Sequence, residues 1–240
     1  MVFRELLSVL RSDDPLARLG TEFSEMLSLG QLLTVKAGGH FFEGTLTPDE
    51  DLDLHEEDRR IDDLQRAIRK EVITRLTLGL PSNQLPFALL VMSLAEDAEQ
   101  IGDHAKRLAA VRRDLAAEIP GKEDPNVAEL REIRRGVERA FAEVSEVFAG
   151  AESDRARELI EVCRDTKHRA EGLIRSVAQG GYPPSGTTAM VVAAAEYGRI
   201  AMHLTRILSG VVLPLHELGL YDEDLLGQFT DERDDGGASG

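Results

Sequence analysis

Acidic side chains at four-residue spacing are the feature of this sequence with the clearest chemical use. Asp58 and Asp62 form one pair, and Glu99 and Asp103 form a second pair. Residues four apart share a helix face, where two carboxylates repel each other by roughly 0.2–0.5 kcal/mol unless a cation lies between them. If the two helices run antiparallel, the four side chains converge as hard oxygen ligands, which suit iron, manganese, magnesium, calcium or zinc.

The surroundings of the second pair favour a metal site over an ordinary charged surface. One acidic pair is expected in a chain with 44 Asp and Glu residues, and Arg59, Arg60 and Arg66 could neutralise the first pair. The second pair lies among small residues that allow a neighbouring helix to approach: Ala95, Ala98, Gly102 and Ala105. Glycine costs about 1 kcal/mol relative to alanine inside a helix, so a close contact at Gly102 should offset that cost.

Helices are the elements that must position these acids. The chain has no Trp and is rich in Ala, Leu, Glu and Arg, which lose little rotamer freedom in a helix. Capping residues and prolines predict six helix starts: Asp14-Pro15, Thr47-Pro48, Ser82 or Asn83, Asp124-Pro125, Ser153, and Thr187 or Thr188. Glycines and prolines predict the ends of the first five: Gly38-Gly39, Gly79, Pro120-Gly121, Gly150 and Gly180-Gly181.

The order of these signals predicts an all-α fold of two tandem antiparallel three-helix bundles. The apolar run 189–195 in the sixth helix is placed like the run 87–95 in the third helix, which indicates a repeated unit. We assign residues 1–120 to the first repeat and 121–230 to the second. Residues 231–240 are acidic and glycine-rich without an apolar face, and they are predicted to be a disordered tail.

The overall composition limits the classes of partner. A formal net charge of −16 repels phosphate backbones, so we expect no nucleic-acid partner. The longest uncharged stretch, residues 85–95, is about half of the roughly 20 residues that a membrane-spanning helix needs. The single cysteine, Cys163, cannot form an internal disulfide, and no leader-like pattern opens the sequence. A cytoplasmic protein, peripheral to a membrane at most, is predicted.

The second acidic pair lies in a stretch that resembles a known family signature. Residues 99–105 read E-Q-I-G-D-H-A, which resembles the E-R-I-G-D-H-A signature of PhoU proteins, regulators of bacterial and archaeal phosphate uptake. The pair Asp58 and Asp62 resembles the E(D)-x-x-x-D element of that family. The resemblance implies tandem three-helix bundles that hold iron, zinc or similar metals, in some members as multinuclear clusters. It also implies cytoplasmic components of a phosphate transporter and a sensor histidine kinase as partners, and it permits a homodimer.

The second repeat departs from this pattern. Residues 199–204 are similar to 100–105, but Gly198 and Met202 stand where Glu99 and Asp103 stand in the first repeat. Glu161 and Asp165 form an acidic pair on the fifth helix, yet no acids face them from the sixth. We therefore predict one metal site, not two. Its ligands are Asp58, Asp62, Glu99 and Asp103, the metal is iron, zinc or manganese, and His104 and Asp63 are candidates for the surrounding shell.

An enzyme is the main alternative to a regulator. A carboxylate-bridged metal enzyme or a metal-storage bundle also uses acids on paired helices, but it pairs them with Glu-x-x-His motifs, and none occurs near the four acids. No nucleophile has a base or a glycine-rich elbow beside it, and no glycine-rich loop could cradle a phosphate. We therefore expect a non-catalytic protein. Cys163 is expected to be a buried thiol, and the loop 81–86 is expected to be a simple connection.

Overall fold

The computed structural model describes residues 15–44, 47–115 and 117–213, which fold into α-helices without any strand in that part of the chain. The helices are α1 (Pro15–Glu43), α2 (Pro48–Leu78), α3 (Leu85–Asp114), α4 (Pro125–Gly150), α5 (Ser153–Ala178) and α6 (Pro184–Val212). The all-α prediction is confirmed. The predicted cap at Asp14 and the predicted tail 231–240 lie outside the described residues.

Side chains at the helix starts satisfy backbone groups that the helix itself leaves without partners. At α2 the Thr47 hydroxyl accepts a hydrogen bond from the Glu50 N–H, and the Glu50 carboxylate accepts one from the Thr47 N–H at 2.9 Å. This reciprocal pair is the capping box expected from the sequence. At α4 the Asp124 carboxylate accepts from the N–H groups of Asn126 and Val127. Both starts thus follow from local sequence.

Several predicted boundaries are wrong. Helix α3 begins at Leu85, after the predicted caps Ser82 and Asn83, and it ends at Asp114, before the predicted stop at Pro120-Gly121. Gly38 and Gly39 do not end α1, which continues to Glu43 and buries Phe41 completely. Gly38 instead lies against another helix, because a Cβ atom there would come within 2.5 Å of the Tyr197 hydroxyl oxygen on α6. The sixth helix begins at Pro184 rather than near Thr187 or Thr188, since proline is well suited to a first turn whose N–H groups have no helical acceptor.

The six helices pack as two groups of three that share a central interface. Helices α1, α2 and α3 contact one another, and so do α4, α5 and α6. The two groups meet where α3 packs on α6 and α1 packs on α4. Helices α2 and α5 therefore lie on the outer sides of a four-helix centre. This arrangement is the predicted tandem pair of three-helix bundles, packed together.

Apolar side chains join the two repeats through this centre. The rings of Phe23 on α1 and Phe148 on α4 lie 4.8 Å apart between centroids. On the other side, Gly210 of α6 faces Leu90 and Leu94 of α3 so closely that an added Cβ would come within 2.9 Å of Leu94. The repeats thus share one core. None of the described helices combines the length and apolar character needed to span a membrane.

Candidate metal centre

The four predicted ligands lie on α2 and α3, which are in direct contact. Asp58 is the most buried of them, with 7% of its surface exposed, whereas Asp62, Glu99 and Asp103 are half-buried. The backbone at Gly102 allows the close approach, because a Cβ there would lie 3.4 Å from Asp58 Oδ1 and 3.1 Å from the Ile61 side chain. This contact is the physical reason for a glycine inside α3.

Lys106 is the residue at this centre that sequence reasoning missed. Its ammonium Nζ lies 2.6 Å from Asp58 Oδ2 on α2 and 3.1 Å from Asp103 Oδ1 on its own helix. The ammonium group thus bridges α2 and α3 at the point where the acids meet. The spacing contained a signal, since Asp103 and Lys106 are three residues apart and share a helix face.

Two of the four carboxyls, Asp58 and Glu99, have pKa values above the ordinary range. Burial raises the pKa of Asp58 above its ordinary value, despite its hydrogen bond to Lys106. Burial, together with the charges of Asp103, Asp62 and Asp58, raises the pKa of Glu99. Each of these two carboxyls therefore feels the charges of its acidic neighbours, which supports the predicted convergence of the two pairs.

Asp103 is stabilised as an anion by more neighbouring positive charge than Asp58 or Glu99. Burial alone would raise its pKa, but hydrogen bonds and positive charge from Lys106 and Arg107 outweigh burial and lower it. Burial would lower the pKa of Lys106, whereas its contacts with Asp58 and Asp103 reverse that effect and raise it. Lys106 therefore remains charged, and it serves as the counter-ion of the deepest part of the cluster.

The outer residues of the predicted site take different positions. Asp62 pairs with Arg66 at 3.3 Å, and the exposed Asp63 pairs with the same arginine at 2.6 Å. His104 does not turn toward the acids of its own repeat. It is buried in the interface with α6, where its Nδ1 atom lies 2.5 Å from a carboxylate oxygen of Glu196.

The donor set suits a hard metal ion, but the side chains are arranged around Lys106. Among the residues that the structure describes, no group of three or more His, Cys, Asp or Glu side chains adopts a metal-binding arrangement. Asp58, Asp62, Glu99 and Asp103 nevertheless supply only oxygen ligands. Burial, and to a smaller extent the neighbouring acids, raise the pKa values of Asp58 and Glu99, so a bound cation would stabilise their ionised forms. These residues fit a multivalent cation in their chemistry.

A second polar cluster joins the two repeats, and the sequence analysis did not identify it. His104 of α3 pairs with Glu196 of α6, and His203 of α6 pairs in return with Asp97 of α3 at 2.8 Å. The two imidazole rings stack with their centroids 5.4 Å apart. All four side chains are buried. We refer to His104, Glu196, His203 and Asp97 as the interface cluster.

The interface cluster has approximate twofold symmetry. In each repeat the carboxylate precedes the histidine by seven residues, which is two helical turns and therefore one helix face. Arg107 and Arg206 flank the cluster at matching positions, three residues after each histidine. The matching spacing was the signal available in the sequence. Arg107 also contacts Asp103 at 3.2 Å, so it links the acidic centre to the interface cluster.

The corresponding place in the second repeat is an open groove of about 430 Å³ between α5 and α6. Met202 and Thr205 line it from α6, and charged side chains of α5, including Glu161, Asp165 and Lys167, line it from the other side. Glu161 and Asp165 are largely exposed. The prediction of a single metal site stays a prediction. Cys163 is buried as expected, and burial raises the pKa of its thiol to about 12.

This architecture defines a class: all-α proteins of two packed three-helix bundles with an acidic centre between two long helices. Residues 49–111 match the family model of the PhoU domain. The fold of this chain is similar to the crystal structure of PhoU from Pseudomonas aeruginosa, with a TM-score of 0.73 and 20% sequence identity. The similarity covers 82% of this chain and 94% of that one.

A second PhoU structure has the same fold. The phosphate transport system regulatory protein PhoU from Streptococcus pneumoniae gives a TM-score of 0.66 at 17% identity, over 86% of this chain and 98% of that chain. No curated protein sequence is matched significantly. The resemblance to PhoU proteins is thus confirmed: α2 and most of α3 match the PhoU domain, and the described helices share the fold of two PhoU proteins.

Proposed function

We propose that this protein is a non-catalytic regulator of phosphate transport and phosphate signalling. The observation that carries the proposal is the match of residues 49–111 to the PhoU domain, because this segment contains all four predicted metal ligands. The shared fold of a protein described as a phosphate transport system regulatory protein supports the same function. Long packed helices suit an adaptor, which acts through its surface.

The proposed partners are the cytoplasmic components of a phosphate transporter and a sensor histidine kinase. The test is a binding measurement between the full chain and two purified proteins, the ATPase subunit of a phosphate importer and the cytoplasmic part of a phosphate-sensing kinase. Binding to at least one of them, in a complex that resists physiological salt, is expected. If neither protein binds, the proposal of an adaptor function fails.

We further propose that Asp58, Asp62, Glu99 and Asp103 hold a divalent or trivalent metal ion, with iron, zinc or manganese as the candidates. A multivalent cation there would offset the burial, and with it the mutual repulsion, that raise the pKa values of Asp58 and Glu99, and it would hold α2 against α3. Its occupancy would then influence which surface the first repeat presents to a partner. In this proposal the metal has a structural and regulatory role.

Elemental analysis tests the metal centre directly. The untagged chain is stripped with a chelator, reloaded and compared with Asp103→Asn and with Glu161→Gln, a control that removes an exposed carboxylate from α5. Stoichiometric metal that is lost in Asp103→Asn and kept in Glu161→Gln is the expected result. If neither the unchanged chain nor the control retains metal, the four acids are not a metal centre.

A further inference from the structure

We propose that Lys106 is a built-in competitor of the metal ion, so that its ammonium group and a bound cation occupy the acidic centre in turn. The inference deepens the proposed metal centre and rests on it. Two of the four ligands, Asp58 and Asp103, are already engaged by Lys106 at 2.6 and 3.1 Å. A cation that takes these carboxylate oxygens as ligands must first release them from the ammonium group.

The position of Lys106 makes such an exchange physically simple. About 31% of its side chain is exposed, whereas only 10% of the Asp58 side chain is exposed. The ammonium group can therefore leave for solvent by rotation of its own flexible stem, while α2 and α3 remain packed. Asp58 cannot follow it, since its carboxylate lies against the backbone at Gly102. The lysine is the mobile member of this pair.

The negative charges of the four acids explain why either the Lys106 ammonium group or a metal ion is favourable at this place. Without a metal, Lys106 supplies one positive charge to a group of four carboxylates and keeps Asp58 from being buried as an unpaired anion. A divalent or trivalent cation supplies more charge at the same place and can also reach Glu99, whose carboxylate accepts a hydrogen bond from the neutral Gln100 amide at 2.9 Å. The lysine thus preserves the helix pair in the metal-free state and lowers the apparent metal affinity.

Lys106→Met tests this competition, because methionine keeps an unbranched side chain and removes the charge. Lys36→Met is the matched control. Lys36 also joins two helices of the first repeat, through a 2.5 Å contact with Glu57, but it does not contact any of the four acids. Mn²⁺ and Zn²⁺ are titrated into the chelator-stripped full chain by calorimetry, and melting temperatures are measured with and without each metal.

The expected result is a metal affinity about tenfold or more higher in Lys106→Met, the factor that one charge-assisted hydrogen bond represents, with Lys36→Met unchanged. The metal-free Lys106→Met chain should melt at a lower temperature than the unchanged chain and should gain more from added metal. If Lys106→Met does not fold, Lys106→Gln carries the same expectation, since it keeps a hydrogen-bond donor near Asp58 without the charge.

Two further outcomes separate the failure of this inference from the failure of the metal centre. Equal affinities in Lys106→Met and the unchanged chain, both lost in Asp103→Asn, would leave the metal centre standing and overturn the competition. An absence of metal binding in every variant, including Lys106→Met, would overturn the metal centre and the competition with it.

Discussion

At the scale of single residues, the acidic centre is a balance of charges in which Glu99 is compensated least. Lys106 forms ion pairs with Asp58 and Asp103, and Arg66 forms an ion pair with Asp62. Glu99 accepts a neutral hydrogen bond from the Gln100 amide at 2.9 Å. Burial and three neighbouring carboxylates raise its pKa. The ionised form of Glu99 therefore destabilises the metal-free fold.

The raised pKa of Glu99 predicts a pH-dependent stability. A carboxyl whose pKa is higher in the folded state than its unfolded value near 4.5 stabilises the fold below that value, and this contribution is lost as the pH rises through the folded pKa. The metal-free Glu99→Gln variant should therefore melt about 2 °C higher than the unchanged chain at pH 7, with the difference vanishing near pH 4.

Melting temperatures of chelated protein between pH 4 and pH 8 check this expectation. Glu161→Gln is the control, because its carboxylate is exposed on α5, and it should follow the unchanged chain at every pH. A Glu99→Gln variant that is less stable than the unchanged chain at pH 7 would show that Glu99 is stabilised as an anion in the metal-free state.

The interface cluster gives a second prediction at this scale. His203→Ala removes the imidazole that lies 2.8 Å from the buried Asp97 carboxylate. Asp97 then keeps the longer contact with Arg206, at 3.3 Å. Because a buried carboxylate that loses a partner keeps its desolvation cost, the free energy of unfolding should fall by about 1–3 kcal/mol.

Urea unfolding provides the measurement for this substitution. His168→Ala is a suitable control, since His168 is exposed on α5 and its loss should change the free energy of unfolding by less than about 0.5 kcal/mol. Equal effects of the two substitutions would mean that the interface cluster contributes little to stability.

At the scale of the helices, small residues decide where two helices approach most closely. Because glycine has no side chain, α2 approaches α3 closely at Gly102, α3 approaches α6 at Gly210, and α6 approaches α1 at Gly38. Gly39 follows Gly38 in the same helix, yet a Cβ atom at Gly39 would meet nothing within 4 Å. The adjacent glycines therefore separate the effect of helix propensity from the effect of a close contact.

Alanine substitutions at these two glycines should change stability in opposite directions. Gly39→Ala should raise the free energy of unfolding by up to about 1 kcal/mol, because alanine loses less backbone entropy in a helix. Gly38→Ala should lower it by about 1–3 kcal/mol, because its Cβ atom would overlap the Tyr197 hydroxyl and approach Arg134. Urea unfolding of both variants is the measurement, and stabilisation by Gly38→Ala would contradict the close contact.

At the scale of the whole molecule, the two repeats share one core. Phe23 and Phe148 join α1 to α4, while Leu94 and the interface cluster join α3 to α6. Neither bundle buries its inner face without the other. The same contacts connect the acidic centre to the second repeat, since Arg107 contacts Asp103 on one side and lies 3.8 Å from Glu196 on the other.

The distribution of tyrosines allows this cooperativity to be measured. The chain has no Trp, and its three tyrosines, Tyr182, Tyr197 and Tyr221, all belong to the second half. Tyr182 contacts Asp124 of its own repeat, whereas Tyr197 packs against Gly38 of α1, so tyrosine fluorescence reports the second repeat and its contact with the first. Far-ultraviolet circular dichroism reports all the helices. We expect coincident urea transitions by the two signals, as for one cooperative domain.

A substitution in the first repeat sharpens this test. Leu94→Ala removes a buried side chain of α3 at the interface and should cost about 2–5 kcal/mol. The transition seen by tyrosine fluorescence should move to lower urea by the same amount as the transition seen by circular dichroism. An unchanged fluorescence transition would mean that the second repeat unfolds independently.

The local features of this protein could be predicted from its sequence. The capping box at Thr47, the Asp124 cap and the repeated apolar runs are local patterns, and they gave the six helices and the tandem arrangement correctly. The spacing of Asp58 with Asp62 and of Glu99 with Asp103 predicted two acidic faces, and the helices that carry them are in contact. Such patterns are readable because they depend on residues within two turns of one another.

Tertiary packing determines which distant groups meet. It placed Lys106 between the acids of two helices, turned His104 away from them toward Glu196, and used Gly38 for a contact with Tyr197 rather than for a helix end. These relations join residues up to about a hundred and sixty positions apart, and helix periodicity within one segment carries no information about the partner face. Packing of the two repeats therefore determined the electrostatic partners that local spacing left open.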